Sequence, residues 1–311
     1  QALGTNFRIW SDGIVSPLYE ELDSTCKLIA KEYDDVAGRM ALLNDPQFVE
    51  EFRRDWHHGR RGRNLATLRT RLGLPDNLVI RDLDRMIFDG APVGDWDGES
   101  MQAVYDRLER YQRGIAEEAR SDAEREAFDL FPRPVTDDAD FMLHMMRTYD
   151  KSFRFWADVG NVGNRATLEL LLHKNTMPGF NDSGAHITNM AFFDANLMSL
   201  KFAQQRSLQT VSDMVRRLTR EPAEFFGVDA GSLEIGAQAD ITLVDPEVLR
   251  NWDSNETRQL HYRELFKHDQ MVNRPEGVVT RVLIRGETAW CDGAVTEALG
   301  TRPLGRALRA A

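Results

Sequence analysis

One short segment, from Thr176 to His186, holds the side chains of this sequence that are best suited to acid-base chemistry. It contains Asn181, Asp182 and Ser183 in a row, followed after two small residues by His186. A carboxylate can accept a proton from water and return it to a leaving group. Asp182 is therefore the residue of this segment whose chemistry would suit a catalytic base, and Asn181, Ser183 and His186 lie beside it as candidate substrate-binding residues.

A proline and two glycines predict how the backbone of this segment runs. Pro178 and Gly179 do not suit a helix, and Gly184 can take the positive φ that lets backbone approach a ligand closely. Phe180 is expected to face a core. The segment is therefore predicted to be a short buried strand, a tight turn and a polar loop, with Asp182 at the strand end.

Each of these polar residues also has a purely structural interpretation. An aspartate after a strand is commonly a turn or helix cap, which would be the role of Asp182 if the segment stood alone. Asn181 and Ser183 are ordinary turn residues. His186 could orient Asp182 or line a pocket, or it could hydrogen-bond a neighbouring loop.

Five residues of the segment match the pattern Gly-x-x-Asp-x-Gly-Ala-His: Gly179, Asp182, Gly184, Ala185 and His186. The segment thereby resembles the last-strand motif of the amidohydrolase superfamily, in its D-aminoacylase (N-acyl-D-amino-acid deacylase) branch. The resemblance extends over residues 160–311 through further blocks in the same order. These blocks are residues 218–227, 231–236, 239–246 and 302–309.

The resemblance implies an α/β fold, namely the C-terminal part of a (β/α)8 (TIM) barrel of the metal-dependent hydrolase type. Residues 1–136 would form a loop and a mostly helical insertion beside the barrel mouth. Residues 137–228 would form the last strands and helices of the barrel, and residues 229–311 the C-terminal part of a small β-sandwich domain. In such barrels the loops after the strands converge on one opening that carries the chemistry.

The resemblance also implies a function, the metal-dependent hydrolysis of carbon-nitrogen (amide) bonds. Asp182 would act as general base on water bound to Zn²⁺, with one or two ions in the site, and would itself be a metal ligand. Complete members of the family carry a His-x-His motif on the first strand, and this motif does not occur in the sequence. The remaining metal ligands are therefore expected outside this chain.

The beginning of the sequence supports the same expectation. It starts without methionine, and residues 1–10 resemble a strand end running into a loop. We expect an N-terminal part, upstream or on a companion chain, that supplies about six strands of the barrel. The competing hypothesis is a non-catalytic binding or scaffolding protein that kept the fold without the metal site. A homo-oligomer is compatible with both.

The loop after the motif does not identify a single class of substrate. Some deacylases of acidic D-amino acids place an arginine there to grip the substrate carboxylate, but residues 187–196 contain none. Met190, Phe192 and Phe193 predict an apolar pocket wall or plain core packing. N-acyl-D-amino acids are therefore one class of substrate among amides, cyclic amides and carbamate-like compounds.

The amino-acid composition indicates which kinds of partner and which cell compartment are expected. With 39 Lys and Arg against 50 Asp and Glu, the net charge of -11 argues against nucleic acid and suits a small polar substrate. Two cysteines, Cys26 and Cys291, form neither a disulfide framework nor a zinc-finger spacing, which favours a reducing, cytoplasmic compartment. No apolar run approaches membrane-spanning length, and the first residues lack the features of a signal peptide.

Hydrophobic periodicity predicts the remaining elements. Residues 17–70 are predicted to be mostly helical, with Phe48, Phe52 and Trp56 as a buried aromatic stripe. Further helices are predicted over residues 101–111, 138–149, 166–173 and 207–226, and strands over residues 78–81, 86–88, 152–159, 240–244, 278–284 and 288–291.

The charged and histidine-bearing segments are predicted to be mostly solvent-exposed. Residues 57–63 form the one basic cluster, which we interpret as a solvated loop in preference to an anion site. Residues 117–126 are predicted to be a solvated helical face or a mobile connector. His144 and His173 are expected to be packed or surface residues of helices, and His261 and His268 to be exposed.

Overall fold

The computed structural model describes the greater part of the chain. The described ranges are residues 1–58, 82–115, 118–179, 187–190 and 194–310. No helix within these ranges is long and apolar enough to cross a membrane.

The chain divides into two compact units. One consists of Arg8–Val159, and we call it the helical unit; the other combines Gln1–Phe7 with Gly160–Ala311, and we call it the mixed unit. The boundaries at residues 136 and 228 remain predictions of the sequence.

The helical unit is built from amphipathic helices with side-chain caps. Ser100 accepts a hydrogen bond from the Ala103 amide, 3.2 Å away, and Asp137 accepts one from the Asp140 amide at 2.9 Å. Such caps satisfy amide groups that have no partner inside the helix. The helices are α1 (Asp23–Ile29), α2 (Val36–Leu43), α3 (Pro46–His58), α4 (Met101–Gln112), α5 (Asp122–Leu130) and α6 (Asp138–Tyr149).

Aromatic side chains fill the core of the helical unit, as the stripe on α3 predicts. Phe48, Phe52 and Trp56 are buried, and the rings of Phe52 and Trp56 stack with their centroids 5.6 Å apart. Phe88 and Trp96 add a second ring contact at 5.4 Å. Burying rings of this size contributes a large share of a domain's hydrophobic stabilisation.

A three-stranded sheet contains two of the predicted strands. It consists of β1 (Phe7–Trp10), β2 (Met86–Phe88) and β3 (Phe155–Gly160) in the order β1-β3-β2. Strands β2 and β3 are antiparallel, with Ile87 opposite Trp156. The strand predicted over residues 78–81 lies outside the described ranges. Because the described strands form separate sheets of three, four and two strands, the barrel remains a prediction.

The prediction that residues 117–126 are solvated is wrong at Glu124. This carboxylate is fully excluded from solvent. It accepts hydrogen bonds from the Trp96 indole at 2.9 Å and from the Arg107 guanidinium at 2.7 Å. A buried carboxylate persists only when it is paired in this way.

The described residues of the mixed unit contain five more helices and a compact apolar cluster. Ala2, Leu171, Phe202 and Met214 are buried together in this cluster. Over residues 207–226 the helical spacing of the apolar residues predicts that Val215 faces inward, but Val215 is 45% exposed, so that prediction is wrong. The helices are α7 (Asn164–Leu172), α8 (Ala195–Arg206), α9 (Leu208–Leu218), α10 (Arg220–Phe226) and α11 (Pro246–Asn251).

Two antiparallel sheets lie in residues 241–295 of the mixed unit, and α11 falls between the first two of their strands. The pairs Arg285-Gly286 and Asp292-Gly293 have positive φ and form tight turns between neighbouring strands. The β-sandwich itself remains a prediction. One sheet contains β4 (Ile241–Val244), β7 (Val279–Ile284), β8 (Glu287–Cys291) and β9 (Ala294–Val295); the other pairs β5 (Arg258–Arg263) with β6 (His268–Asn273).

Candidate functional site

A buried arginine of α9 fixes the chain that leads into the candidate site. Arg217 is only 6% exposed, and its guanidinium donates hydrogen bonds to the carbonyl oxygens of Leu171, at 2.6 Å, and His173, at 3.1 Å. It donates a further hydrogen bond to the carbonyl oxygen of Thr176. One cation thereby satisfies the carbonyl groups at the end of α7 and holds the connection from this helix to Pro178.

The segment then runs in an extended form up to Gly179. The Ala2 amide donates to the Met177 carbonyl at 2.8 Å, and the Gly179 amide donates to the Ala2 carbonyl at 3.2 Å, which makes a parallel bridge between Ala2 and Pro178. An isolated bridge, and not a full strand, therefore lies where the short strand is predicted. Gly179 has a φ of +124°, which side chains with a Cβ rarely adopt, so the glycine is required by its backbone conformation.

The chain beyond the motif is fixed at two points. The Ile187 carbonyl accepts a hydrogen bond from the Met271 amide at 2.6 Å. Asp194, 2% exposed, accepts hydrogen bonds from the Ser254 hydroxyl and from the Asn273 amide group. Burial raises the pKa of Asp194 to about 6, and the Ser254 hydrogen bond acts in the opposite direction by favouring the carboxylate.

The predicted site residues themselves lie outside the described residues. These are Asn181, Asp182, Ser183 and His186, and the same is true of Phe192 and Phe193 in the predicted pocket wall. Their roles therefore stay predictions. Met190 is described and is 3% exposed, which is compatible with a wall residue or with core packing.

Among the described residues, one group of side chains could hold a metal ion. His57, Asp137 and Asp138 each offer a ligand atom within 4.8 Å of the others. An imidazole nitrogen and carboxylate oxygens suit a divalent cation such as Zn²⁺. The same group also has a structural role, because the His57 ring lies 3.0 Å from the Asp137 carboxylate that caps α6.

The other predicted histidines occupy the places expected of them. His144 is buried in α6, and His173 ends α7 on the surface. His261 and His268 are exposed, on β5 and β6. The prediction that the basic cluster is a loop is wrong at His57 and His58, which end α3, and residues 59–63 lie outside the described ranges.

The fixed segments lie in a region with a recognisable family pattern. Residues 166–289 match the Amidohydrolase family. The amidohydrolase match includes the Arg217 and Asp194 contacts on either side of the motif, as well as the motif itself. It thereby supports the superfamily inferred from the residues around Asp182.

Curated relatives extend the similarity to most of the chain. Over 299 residues the chain is 26% identical to uncharacterized proteins of Mycobacterium tuberculosis and Mycobacterium bovis; the match covers 94% of this chain and 42% of each relative. Over 125 residues it is 30% identical to D-phenylhydantoinases of Escherichia coli, covering 38% of this chain and 23% of each relative. The chain thus spans less than half the length of these relatives. No solved structure gives a significant match.

Sequence reasoning did not find the residues that fix the amidohydrolase segment. Arg217 lies in a helix rich in charged residues, and Asp194 directly precedes α8, where an aspartate is an ordinary cap. Ser254 and Asn273 carry no motif. The sequence offered one signal for Asp194, namely its position in an otherwise apolar stretch. Its burial and its hydrogen bonds to Ser254 and Asn273 show that it makes a tertiary contact.

Proposed function

We propose that this chain belongs to the amidohydrolase superfamily and carries the general base of a metal-dependent hydrolase of carbon-nitrogen bonds, with Asp182 in that role. The observation that supports this most strongly is the match of residues 166–289 to the Amidohydrolase family, because the match contains the motif around Asp182. The similarity to D-phenylhydantoinases points to the same reaction type.

The chemistry follows from what amide hydrolysis requires. A divalent cation, Zn²⁺ in our proposal, would polarise the scissile carbonyl and would lower the pKa of the attacking water to about 7. Asp182 accepts the proton of the attacking water and also contributes a metal ligand. It then passes the proton to the leaving nitrogen as the carbon-nitrogen bond breaks. The remaining ligands come from outside this chain.

The substrate is a small amide, in either an open-chain or a cyclic form. The motif favours N-acyl-D-amino acids, whereas the hydantoinase similarity favours cyclic amides. In both cases Asn181, Ser183 and His186 bind polar groups of the substrate. The absence of arginine in residues 187–196 disfavours substrates with a second carboxylate.

The test is the Asp182→Asn variant of the intact protein. It is assayed with N-acetyl amino acids of both chiralities and with phenylhydantoin, and its zinc content is measured by mass spectrometry. Asparagine keeps the size of the side chain but cannot accept the proton at neutral pH. The turnover number should therefore fall by roughly 100-fold to 10,000-fold. The control is Asp229→Asn, which removes a carboxylate from an exposed position of the mixed unit.

Two outcomes would contradict the proposal. An Asp182→Asn protein that keeps the wild-type turnover number would make Asp182 a turn residue. A wild-type protein that holds no metal and hydrolyses no member of the panel would instead support the binding or scaffolding function.

A further inference from the structure

The end of α3 and the start of α6 bring three potential metal ligands together in the helical unit. His57 lies in the last turn of α3, Asp137 is the N-cap residue of α6, and Asp138 is the first residue of that helix. Each offers one ligand atom, and the three atoms all lie within 4.8 Å of one another. An imidazole and two carboxylates therefore meet where two helices come into contact.

A second contact, one turn earlier in α3, shows how these two helices face each other. The Arg53 guanidinium, four residues before His57, donates a hydrogen bond to the Asp140 carboxylate at 2.8 Å. Residues four apart lie on the same face of a helix, so Arg53 and His57 both face the first turn of α6. The position of the imidazole beside Asp137 therefore follows from the packing of the two helices.

The carboxylates can bind a cation without giving up their hydrogen bonds. Oδ1 of Asp137 accepts the cap hydrogen bond from the Asp140 amide at 2.9 Å, while Oδ2 lies 3.0 Å from Nε2 of His57. Among the described residues, the hydrogen bond that the structure shows for the Asp138 carboxylate comes from the neighbouring Ala139 amide, at 3.0 Å from Oδ1. One oxygen of each carboxylate can therefore be a ligand while the helix cap stays intact.

The short distance between His57 and Asp137 requires a positive species between them. An imidazole nitrogen and a carboxylate oxygen approach this closely only when a proton or a cation lies between them. A proton on Nε2 serves one oxygen in a nearly linear hydrogen bond, whereas a divalent cation binds all three ligand atoms at once. Because Arg53 pairs with Asp140, the charges of Asp137 and Asp138 remain for such a cation to balance.

The side chain of Tyr105, on α4, shows that this region is rich in negative charge. Burial raises the pKa of the Tyr105 hydroxyl to about 12, and the charges of Glu109, Asp137, Asp138 and Asp140 act in the same direction. Nearby negative charges raise the pKa of a phenol because they disfavour the phenolate. The same charges attract a cation.

We propose that His57, Asp137 and Asp138 form a Zn²⁺-binding site that joins the end of α3 to the start of α6. Zn²⁺ binds imidazole nitrogen and carboxylate oxygen at about 2.0–2.2 Å, usually in a tetrahedron that leaves a fourth position for water. Such a tetrahedron places its ligand atoms about 3.4 Å apart. The 3.0 Å between His57 and Asp137 is close to this spacing, and a small rotation brings the Asp138 oxygen to it.

The ligand types determine which cation the site prefers. An imidazole nitrogen favours Zn²⁺, whereas Mg²⁺ and Ca²⁺ prefer oxygen ligands throughout. A cation bound by both helices adds stability to the folded chain in proportion to the logarithm of its saturation. The site does not depend on the proposed function, in which none of the three residues takes part.

The test compares the intact protein with four variants. His57→Gln and Asp138→Ala each remove one ligand and leave the Asp137 cap in place. Asp122→Ala is the matched control for Asp138→Ala, because Asp122 is likewise the first residue of a helix after its N-cap, in α5. His261→Gln removes an exposed histidine of β5 and is the control for His57→Gln.

Each protein is stripped with a chelator and titrated with Zn²⁺ or, separately, with Mg²⁺; its metal content after desalting and its thermal unfolding are measured. The wild type should retain one equivalent of zinc more than His57→Gln and Asp138→Ala. Zn²⁺ at about 100 times its Kd should raise the Tm of the wild type by roughly 5 °C more than that of these two variants. Both controls should match the wild type, and Mg²⁺ at the same concentration should not cause this shift.

Three outcomes would contradict the proposal. Equal zinc content and equal Tm shifts in the wild type and both ligand variants would leave His57 and Asp137 as a hydrogen-bonded pair. Loss of the same zinc from His261→Gln or Asp122→Ala would show adventitious surface binding, and an equal response to Mg²⁺ would show that the imidazole is not a ligand.

Two features of the design keep the result decisive. If His57→Gln does not fold, the comparison of Asp138→Ala with Asp122→Ala decides alone, since neither aspartate is buried. Metal content and Tm are measured without a substrate, so a failure of the proposed function leaves this test unaffected.

Discussion

Two buried charged residues, Arg217 and Glu124, hold separate parts of this chain together through their hydrogen bonds. Arg217 and Glu124 are both charged and almost completely excluded from solvent. Each has several hydrogen-bond partners, Arg217 on backbone carbonyls and Glu124 on Trp96 and Arg107. Because an unpaired buried charge is strongly unfavourable, replacing either partner of such a contact should be destabilising.

His144 provides a residue-scale prediction about pH. It is buried against the Phe131 ring, with centroids 3.8 Å apart, and its Nε2 lies 3.1 Å from the Thr148 hydroxyl. Burial lowers the pKa of His144 to about 4, and the nearby charge of Arg147 acts in the same direction. The unfolded chain, with a histidine pKa of about 6.5, then binds the proton at higher pH than the folded chain.

The free energy of unfolding should therefore fall as the pH drops from about 6.5 towards 4. The His144→Gln variant should show a shallower dependence over that range, because glutamine does not titrate. Urea unfolding at several pH values measures this, with the exposed His261→Gln as control. Equal slopes for His144→Gln and the wild type would show that other groups cause the dependence.

At the scale of elements, the first residues of the chain pack closely against α8. A Cβ built on Gly4 would collide with the Ala195 carbonyl oxygen and with the Ser199 hydroxyl. Both atoms belong to the first five residues of the helix that Asp194 precedes. Only a residue without a side chain allows this approach.

The Gly4→Ala variant should be destabilised by about 1–3 kcal/mol, because backbone must shift to relieve the collision. Gly94→Ala is the control, since a Cβ at Gly94 meets no atom within 4 Å. Thermal and urea unfolding of the two variants provide the comparison. A Gly4→Ala protein as stable as Gly94→Ala would mean that the approach of this segment to α8 is looser than described.

The β5–β6 hairpin shows which elements a sequence pattern does not predict. The exposed and buried residues of β6 do not alternate; Gln270, Met271, Val272 and Asn273 are all buried in succession. A strand buried on both faces lacks the period of two that identifies half-buried strands. The strand also contains the polar residues Gln270 and Asn273, which are more typical of loops in a sequence pattern.

At the scale of the whole molecule, the chain should occur with additional polypeptide. The curated relatives extend well beyond the region that this chain matches. Several large apolar side chains of the mixed unit are exposed, among them Phe225, Leu233, Ile235 and Leu265. Where such side chains form one contiguous patch, they commonly mark a surface that another part of a protein covers.

We therefore propose an N-terminal companion, on the same or a separate polypeptide, that completes the barrel and supplies the remaining metal ligands. Sedimentation and mass spectrometry of the native protein should show a species larger than 35.5 kDa that contains this segment. A stable monomer of these 311 residues alone would contradict the proposal.

The sequence by itself determined the local features of this protein. The caps at Ser100 and Asp137, the strand β2 and the turns at Gly286 and Gly293 follow from residues close together in the chain. The motif around Asp182 is local in the same way, and its superfamily agrees with the family match. Short-range geometry restricts such features strongly, which is why patterns of neighbouring residues predict them.

Only the tertiary structure decided which polar residues became structural supports. Glu124 lies in a charged segment that predicts a solvated face. In the structure it is buried and accepts hydrogen bonds from Trp96 and Arg107. Asp194 has the sequence context of a helix cap, yet its partners are 60 and 79 residues away. Burial of a polar group depends on partners brought in by the fold, and no local pattern contains them.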